Sequence, residues 1–246
     1  MSTAGLVITQ VRFDLRVVVR NGEQLLLTVL IPLALLLALS LSTFISLDVP
    51  AGVARVDAAL AGVLSVAVLS SAFTSLAISV GFDRRSGALL MLATTPLSRS
   101  SILAARSLAT LVIVLVQSLV LATAGALLGW RPDASALGAL GFVILGSLSF
   151  GALGFALGGA LRAEATLALA NGIFLVLLFA GGTAVPASAL PAPLSAIVSA
   201  LPSAALGDAL RTLLAGAAGS LLLDVVILVG WGVAGALIAA RTFRWD

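Results

Sequence analysis

The chain of 246 residues is 61% hydrophobic and only 9% charged, with a mean hydropathy of +1.25. A soluble domain cannot bury that much apolar surface, so the sequence predicts an all-α integral membrane protein with a single transmembrane domain, residues 1–246. The chain has no cysteine, histidine or lysine, which excludes disulfides, His/Cys metal sites, histidine catalysis and a standard P-loop. We therefore expect no bound metal or cofactor and no enzymatic activity. Thirteen arginines against ten acids give a net charge of +3, which we attribute to membrane orientation rather than to a nucleic-acid partner.

Residues 1–23 carry two separate stripes around one predicted helix. Their members recur at helical spacing, with Val7, Val11, Leu15 and Val18 in the apolar stripe and Arg12, Arg16 and Arg20 in the basic one. The pattern predicts an interfacial helix, with its apolar face at the acyl boundary of the lipid and its arginines toward the cytoplasm. The alternative is a basic flank that only orients the first span.

Six apolar runs follow, each able to cross a bilayer at roughly 20 residues per span. They cover residues 24–45, 58–80, 102–128, 136–161, 165–182 and 220–240. Pro32 is expected to kink the first span. The hydroxyl side chains of the second span suit interhelical contacts, namely those of Ser65, Ser70, Ser71, Thr74, Ser75 and Ser79. Gly151 and Gly154 in the fourth span indicate close helix packing rather than a cofactor site.

Few strongly polar side chains lie within these runs. Gln117 and Asn171 are amides deep in predicted spans, and we expect interhelical hydrogen bonds from them, with a place on a substrate path as the alternative. Asp224 lies about four residues into the last run, where we expect it at the outer interface. A gradient-driven secondary transporter normally needs an ionisable residue near mid-membrane, so this placement counts against that class.

Residues 183–219 break the pattern with the prolines Pro186, Pro191, Pro193 and Pro202. Their apolar pieces, residues 187–200 and 203–217, are too short to span. They predict helices that dip into the membrane and return, or that lie at its surface.

The arginines orient this plan, because cytoplasmic flanks carry the excess of positive charge. Six spans place both termini on one side. Ten arginines fall on that side, namely Arg12, Arg16, Arg20, Arg84, Arg85, Arg99, Arg106, Arg162, Arg241 and Arg244, and three on the other, namely Arg55, Arg131 and Arg211. Both termini and residues 83–99 are therefore predicted to be cytoplasmic, and residues 183–219 external.

Two segments on opposite faces of this plan resemble those of type-2 ABC export permeases. The first reads Asp83-Arg84-Arg85-Ser86-Gly87, then Leu89-Leu90, then Thr95-Pro96-Leu97-Ser98-Arg99. The second reads Gly181-Gly182, Pro186, Leu190-Pro191, Leu201-Pro202-Ser203 and Asp208-Ala209-Leu210-Arg211, and it is similar to that family's external re-entrant hairpin. The six-span plan and the amphipathic start match as well.

The resemblance implies an exporter permease in a bacterial inner membrane. ATP and Mg²⁺ would be bound by a separate ABC ATPase subunit, and a second permease copy or a sister permease would complete the membrane part. The exported substrate would be a hydrophobic or amphipathic drug, lipid or secondary metabolite. A non-transporting assembly subunit is the remaining alternative.

Residues 83–99 would couple the ATPase to the spans through a short helix near residues 87–92. We expect an apolar contact face from Leu89, Leu90 and Leu92, and charge complementarity to the ATPase from Arg84 and Arg85. The resemblance adds Asp83 to the same coupling set. We call residues 83–99 the island. Gly87 would permit a tight turn into the helix, and Pro96 would end it before the third span. The plain reading of the same residues is a loop with orienting arginines.

Overall fold

A computed structural model of the protein describes residues 3–22, 26–42, 53–95, 97–179, 181 and 191–243. The regular elements in these residues are helical, and no strand occurs among them. The all-α prediction is therefore confirmed for the described part of the chain.

The helices are named in chain order. They are α1 (Thr3–Arg20), α2 (Ile31–Leu41), α3 (Arg55–Arg85), α4 (Ala88–Ala93), α5 (Arg99–Leu127), α6 (Ser135–Ala160), α7 (Ala163–Phe179), α8 (Ala192–Ser199), α9 (Pro202–Ala215) and α10 (Leu221–Thr242). A π-helical turn, Leu26–Leu30, leads into α2, and a second one, Leu69–Ser75, interrupts α3.

Four of the described helices are long and apolar enough to cross a membrane, namely α3, α5, α6 and α10. They coincide with the predicted spans at residues 58–80, 102–128, 136–161 and 220–240. Two further apolar helices, Thr28–Leu41 and Ala163–Phe179, lie where the first and fifth spans are predicted. They reach about 21 and 26 Å, less than a hydrocarbon core of about 30 Å, and the predicted spans run on into residues outside the described part. The six-span plan stays a prediction.

The apolar stripe of α1 packs on protein. Val11 is 7% exposed and contacts Ala105 and Ala109 of α5, with Val7 and Leu15 beside it. Val7, Val11 and Leu15 thus pack against α5, and the interfacial position of α1 stays a prediction. The two alanines of α5 present a surface shallow enough for the valines of α1 to approach closely. The basic stripe, Arg12, Arg16 and Arg20, is exposed as predicted.

Helix α6 is the centre of the bundle, and glycines let its neighbours approach its backbone. A Cβ atom on Gly154 would lie 3.1 Å from the carbonyl oxygen of Phe73 in α3. On another side, a Cβ on Gly235 of α10 would lie 2.8 Å from the backbone nitrogen of Leu153. The predicted close packing at Gly154 is confirmed, whereas Gly151 has only the Leu76 side chain nearby.

The proline-rich segment forms two helices, α8 and α9, that meet at a bend of 84°. Pro191 is exposed just before α8, and Pro202 is buried in the first turn of α9. Helix α9 packs against α3, α6 and α10, and most of its side chains are buried. The re-entrant and the surface placement of residues 203–217 both stay predictions. Pro186 lies outside the described residues.

Polar contacts fix this hairpin to its neighbours. The indole N–H of Trp231 in α10 donates to the carbonyl of Ala200 at 2.8 Å, and the Ser135 hydroxyl donates to the carbonyl of Leu213 at 2.6 Å. Arg211 pairs with Asp208 within α9 at 2.7 Å.

Replacing Gly158 with alanine tests the close contact between α6 and α3. The new Cβ would lie 3.1 Å from the Val80 Cβ and closer still to the carbonyl oxygen of Ala77, so backbone must shift. We expect Gly158→Ala to lower the free energy of unfolding by about 1–3 kcal/mol, as overpacking does. Gly141→Ala, in the same helix with no atom within 4 Å, is the matched control. Thermal unfolding in detergent should separate the two, and equal stability would refute the contact.

Candidate coupling site and the groove beside it

The island, residues 83–99, runs from the end of α3 to the start of α5 and contains a left-handed glycine. Gly87 has a φ of +74° and turns the chain directly from α3 into the short helix α4, so the predicted tight turn is confirmed. At the other end of α4, the hydroxyls of Thr94 and Thr95 donate to the carbonyls of Met91 and Leu92 at 2.7 and 2.6 Å. Pro96 lies outside the described residues.

Helix α4 turns Leu89 inward and Leu90 outward. Leu89 is 1% exposed, whereas Leu90 is 50% and Met91 75% exposed. The single apolar face expected from Leu89, Leu90 and Leu92 is therefore wrong. At about 100° per residue, positions 89 and 92 share one side of a helix and position 90 faces away. Leu90 is on the outward face of α4, whereas the exposed Met91 lies along the cleft described below.

Three charged residues at the start of the island bind to three different helices of this chain. Asp83 pairs with Arg106 of α5 at 2.6 Å. Arg84 donates to the carbonyls of Leu161 and Gly158, at the end of α6, at 2.9 and 3.3 Å. Arg85 pairs with Glu164 of α7, and both side chains are largely exposed.

Two of these charges are engaged within the chain. The Arg84 guanidinium caps carbonyls at the C-terminus of α6, where a cation also favours the helix dipole. Asp83 is held in an ion pair with limited exposure. Of Arg84 and Arg85, Arg85 has the more exposed side chain. The expected charge complementarity to the ATPase stays a prediction, and the start of the island contacts α5, the end of α6 and α7.

Two stretches of wider helical turn lie on either side of one side chain of α5. One is the π turn Leu26–Leu30 before α2, and the other is the π turn Leu69–Ser75 within α3. Such turns are often found at functional sites because they redirect side chains and leave carbonyls for other donors. Nothing in the sequence pattern predicts them.

Gln117 of α5 joins these two turns. In a regular α-helix the N–H of residue 32 would donate to the carbonyl of residue 28, but Pro32 has no N–H. The Gln117 carboxamide N–H donates to the Thr28 carbonyl at 2.5 Å, and its oxygen accepts from the Ser71 hydroxyl at 3.0 Å. Because a carbonyl oxygen only accepts, the Thr28 contact fixes the orientation of the amide. The predicted interhelical bond is confirmed at Gln117.

The other polar residues singled out within the spans have different surroundings. Asn171 is exposed and donates to the Leu167 carbonyl of its own helix at 2.9 Å, so the predicted interhelical bond is not seen among the described residues. A place on a substrate path stays a prediction for Asn171. Asp224 lies in the first turn of α10, after the N-cap Ser220, and is buried.

A cleft of about 630 Å³ lies between α1, α3, α4 and α5, and we call it the groove. Its wall on α3 carries Ser71, Ser75, Ser79 and Asp83 at intervals of four residues. Ser75 and Ser79 are exposed, and no interhelical hydrogen bond from either is seen among the described residues. From Asp83 to Ser71 this wall rises about 18 Å. The groove therefore reaches from the island to the partners of Gln117.

Three charged side chains surround one end of the groove. They are Asp14 of α1, Asp83 and Arg106. The Asp14 carboxylate accepts from the Gln10 amide at 2.8 Å. Burial raises the pKa of Asp14 above its ordinary value, against the opposing effects of Arg106 and of the Gln10 hydrogen bond. Within the described ranges, no three His, Cys, Asp or Glu side chains gather to hold a metal ion.

Alanine at the two neighbouring arginines should have unequal effects. Arg84→Ala leaves carbonyls at the end of α6 without their charged donor, so we expect the free energy of unfolding to fall by about 1–3 kcal/mol. Arg85→Ala breaks an exposed ion pair, which is worth about 0–1 kcal/mol. Denaturation of the two purified variants in one detergent checks this, and equal losses would contradict the capping role of Arg84.

Residues 46–241 match the model of a family described as ABC-2 family transporter protein. The matched stretch includes the island, the groove wall on α3 and the α8–α9 hairpin. A search of curated proteins gives no match. The apolar helices and the family model together make this a multi-pass membrane protein. The chain belongs to the ABC-2 family of transporter proteins.

Proposed function

We propose that this chain is the membrane-spanning permease subunit of an ATP-driven exporter. Its sequence has no lysine for a P-loop, so a separate ABC ATPase would bind ATP and Mg²⁺. Membership of the ABC-2 family supports this division of labour. The substrate would be a hydrophobic or amphipathic molecule moved out of the cytoplasm or the inner leaflet.

The observation that carries the proposal is the construction of the island. Helix α4 is short, presents Leu90 outward, and follows a segment bound to α5, α6 and α7. Closure of an ATPase dimer is a rigid-body motion, and it moves membrane helices only through a stiff contact. The exposed Leu90, on a helix next to a segment bound to three other helices, would provide such a contact.

The orientation follows from charge. Ten of the thirteen arginines lie on the side of the island in the six-span plan, which favours a cytoplasmic island and cytoplasmic termini in a bacterial inner membrane. The bent pair α8 and α9 would then enter from the external side and return. Helices Thr28–Leu41 and Ala163–Phe179 would complete the first and fifth spans.

The permease would act as a pair. One chain offers one α4, whereas a symmetric ATPase dimer presents two equivalent surfaces. A second copy of this chain or a sister permease matches that count, because closed two-fold assemblies use each surface twice.

Placing a charge on the outer face of α4 tests the coupling role. Leu90→Asp would bury an unpaired carboxylate in an apolar contact, which costs several kcal/mol. At about 1.4 kcal/mol per tenfold change, affinity for the ATPase should fall by two or more orders of magnitude. The measurement is co-purification of the ATPase with the permease, together with export.

Leu137→Asp is the matched control for this substitution. Leu137 is 75% exposed in the first turn of α6, at the far end of the bundle from the island, and an acidic residue suits that helix terminus. We expect this variant to retain its ATPase. If Leu90→Asp also retains its ATPase and exports at the parental rate, α4 is not the coupling helix.

A further inference from the structure

We propose that the groove binds a single-chain amphiphile with a protonated amine head, its hydrocarbon chain along the apolar walls and its head beside Asp14. This inference deepens the proposed function by naming the substrate class. The binding step itself does not depend on the ATPase.

The size and lining of the groove suit such a molecule. Its volume of about 630 Å³ falls within the range of sites for drug-sized ligands. Apolar side chains line its sides, among them Phe13, Val17, Leu76, Met91 and Ile113. The serine hydroxyls of α3 form a narrow polar strip along one wall, which is compatible with a flexible chain that makes few hydrogen bonds.

The charges at the end of the groove select the sign of the head group. Asp14 and Asp83 contribute two negative charges and Arg106 one positive charge, so the described lining residues carry a formal charge of −1. Arg106 is engaged by Asp83 at 2.6 Å. The second carboxylate oxygen of Asp14 and the Nε of Arg106 are both buried and have no hydrogen-bond partner among the described residues. A primary ammonium in the groove would balance the excess negative charge of the lining, whereas an anionic head would meet two carboxylates.

An occupant would also touch the coupling helix. Ala88, Met91, Leu92 and Thr95 of the α4 segment line the groove, while Leu90 on the outer face does not. A ligand chain would therefore support α4 from within while the ATPase contacts it from outside. The two contacts meet at one short helix, which gives substrate binding a direct route to the ATPase.

Photolabelling of the permease alone tests the proposal. The full chain, purified without ATPase in nanodiscs of zwitterionic lipid, is labelled with a diazirine-bearing dodecylamine, and the labelled peptides are identified by mass spectrometry. We expect label on peptides containing Phe13 and Met91, displaced by dodecylamine but not by dodecanol or dodecyl sulfate. Asp14→Asn should weaken this labelling about tenfold, as expected for the loss of a charged hydrogen-bond partner.

Two further variants keep the result interpretable. Asp133→Asn removes an exposed carboxylate at the far end of α5 and should leave labelling unchanged. Ser75→Leu fills the groove without altering Asp14 and should reduce labelling even if Asp14→Asn perturbs α1. Equal displacement by dodecanol, labelling spread over all lipid-facing helices, or labelling indifferent to both Asp14→Asn and Ser75→Leu would overturn the proposal. Co-purification of the ATPase is scored separately, so a failed groove and a failed coupling role give different results.

Discussion

The hydrogen bonds of one carboxamide, that of Gln117, join α5 to α3 and to the π turn before α2. Pro32 cannot donate to the Thr28 carbonyl, and this partly buried acceptor would be costly if it stayed unpaired. Gln117 of α5 supplies the donor and at the same time accepts from Ser71 of α3. Three segments are therefore joined at one depth, beside two π turns. The two partners of Gln117, Thr28 and Ser71, line the inner end of the groove, so the shape of that end depends on these bonds.

A second set of polar contacts lies at the end of the bundle that would face the cytoplasm. Asp83, Arg84 and Arg85 each bind a different helix, so the segment before α4 is anchored to α5, α6 and α7. Between this set and Gln117, the wall of the groove on α3 carries the hydroxyl side chains of Ser75 and Ser79. The proposed coupling role uses the anchored segment, because a displacement of membrane helices needs a stiff contact.

Much of this architecture could be predicted from the sequence, because apolar length and glycine placement are local signals. The long helices, the turn at Gly87 and the packing at Gly154 followed from them. Which group a polar side chain contacts depends on the tertiary fold and is not a local signal. Arg84 and Arg85 look alike in the sequence, yet one caps α6 and the other lies in an exposed ion pair. Leu89 and Leu90 likewise differ only in the side of a six-residue helix on which they fall. The apolar stripe of α1 predicted a contact with lipid because a flat protein surface and lipid both favour apolar side chains. The π turns have no simple sequence signature.

Site-specific crosslinking from position 90 is the most direct test of the coupling role proposed for α4. A photoreactive amino acid replaces Leu90 in one sample and Leu137 in another, and each permease is assembled with its ATPase in lipid nanodiscs before irradiation. We expect a crosslink from position 90 to the ATPase, with a higher yield when ATP closes the ATPase dimer, and none from position 137. A crosslink to the ATPase from position 137, or only lipid adducts from position 90, would contradict it.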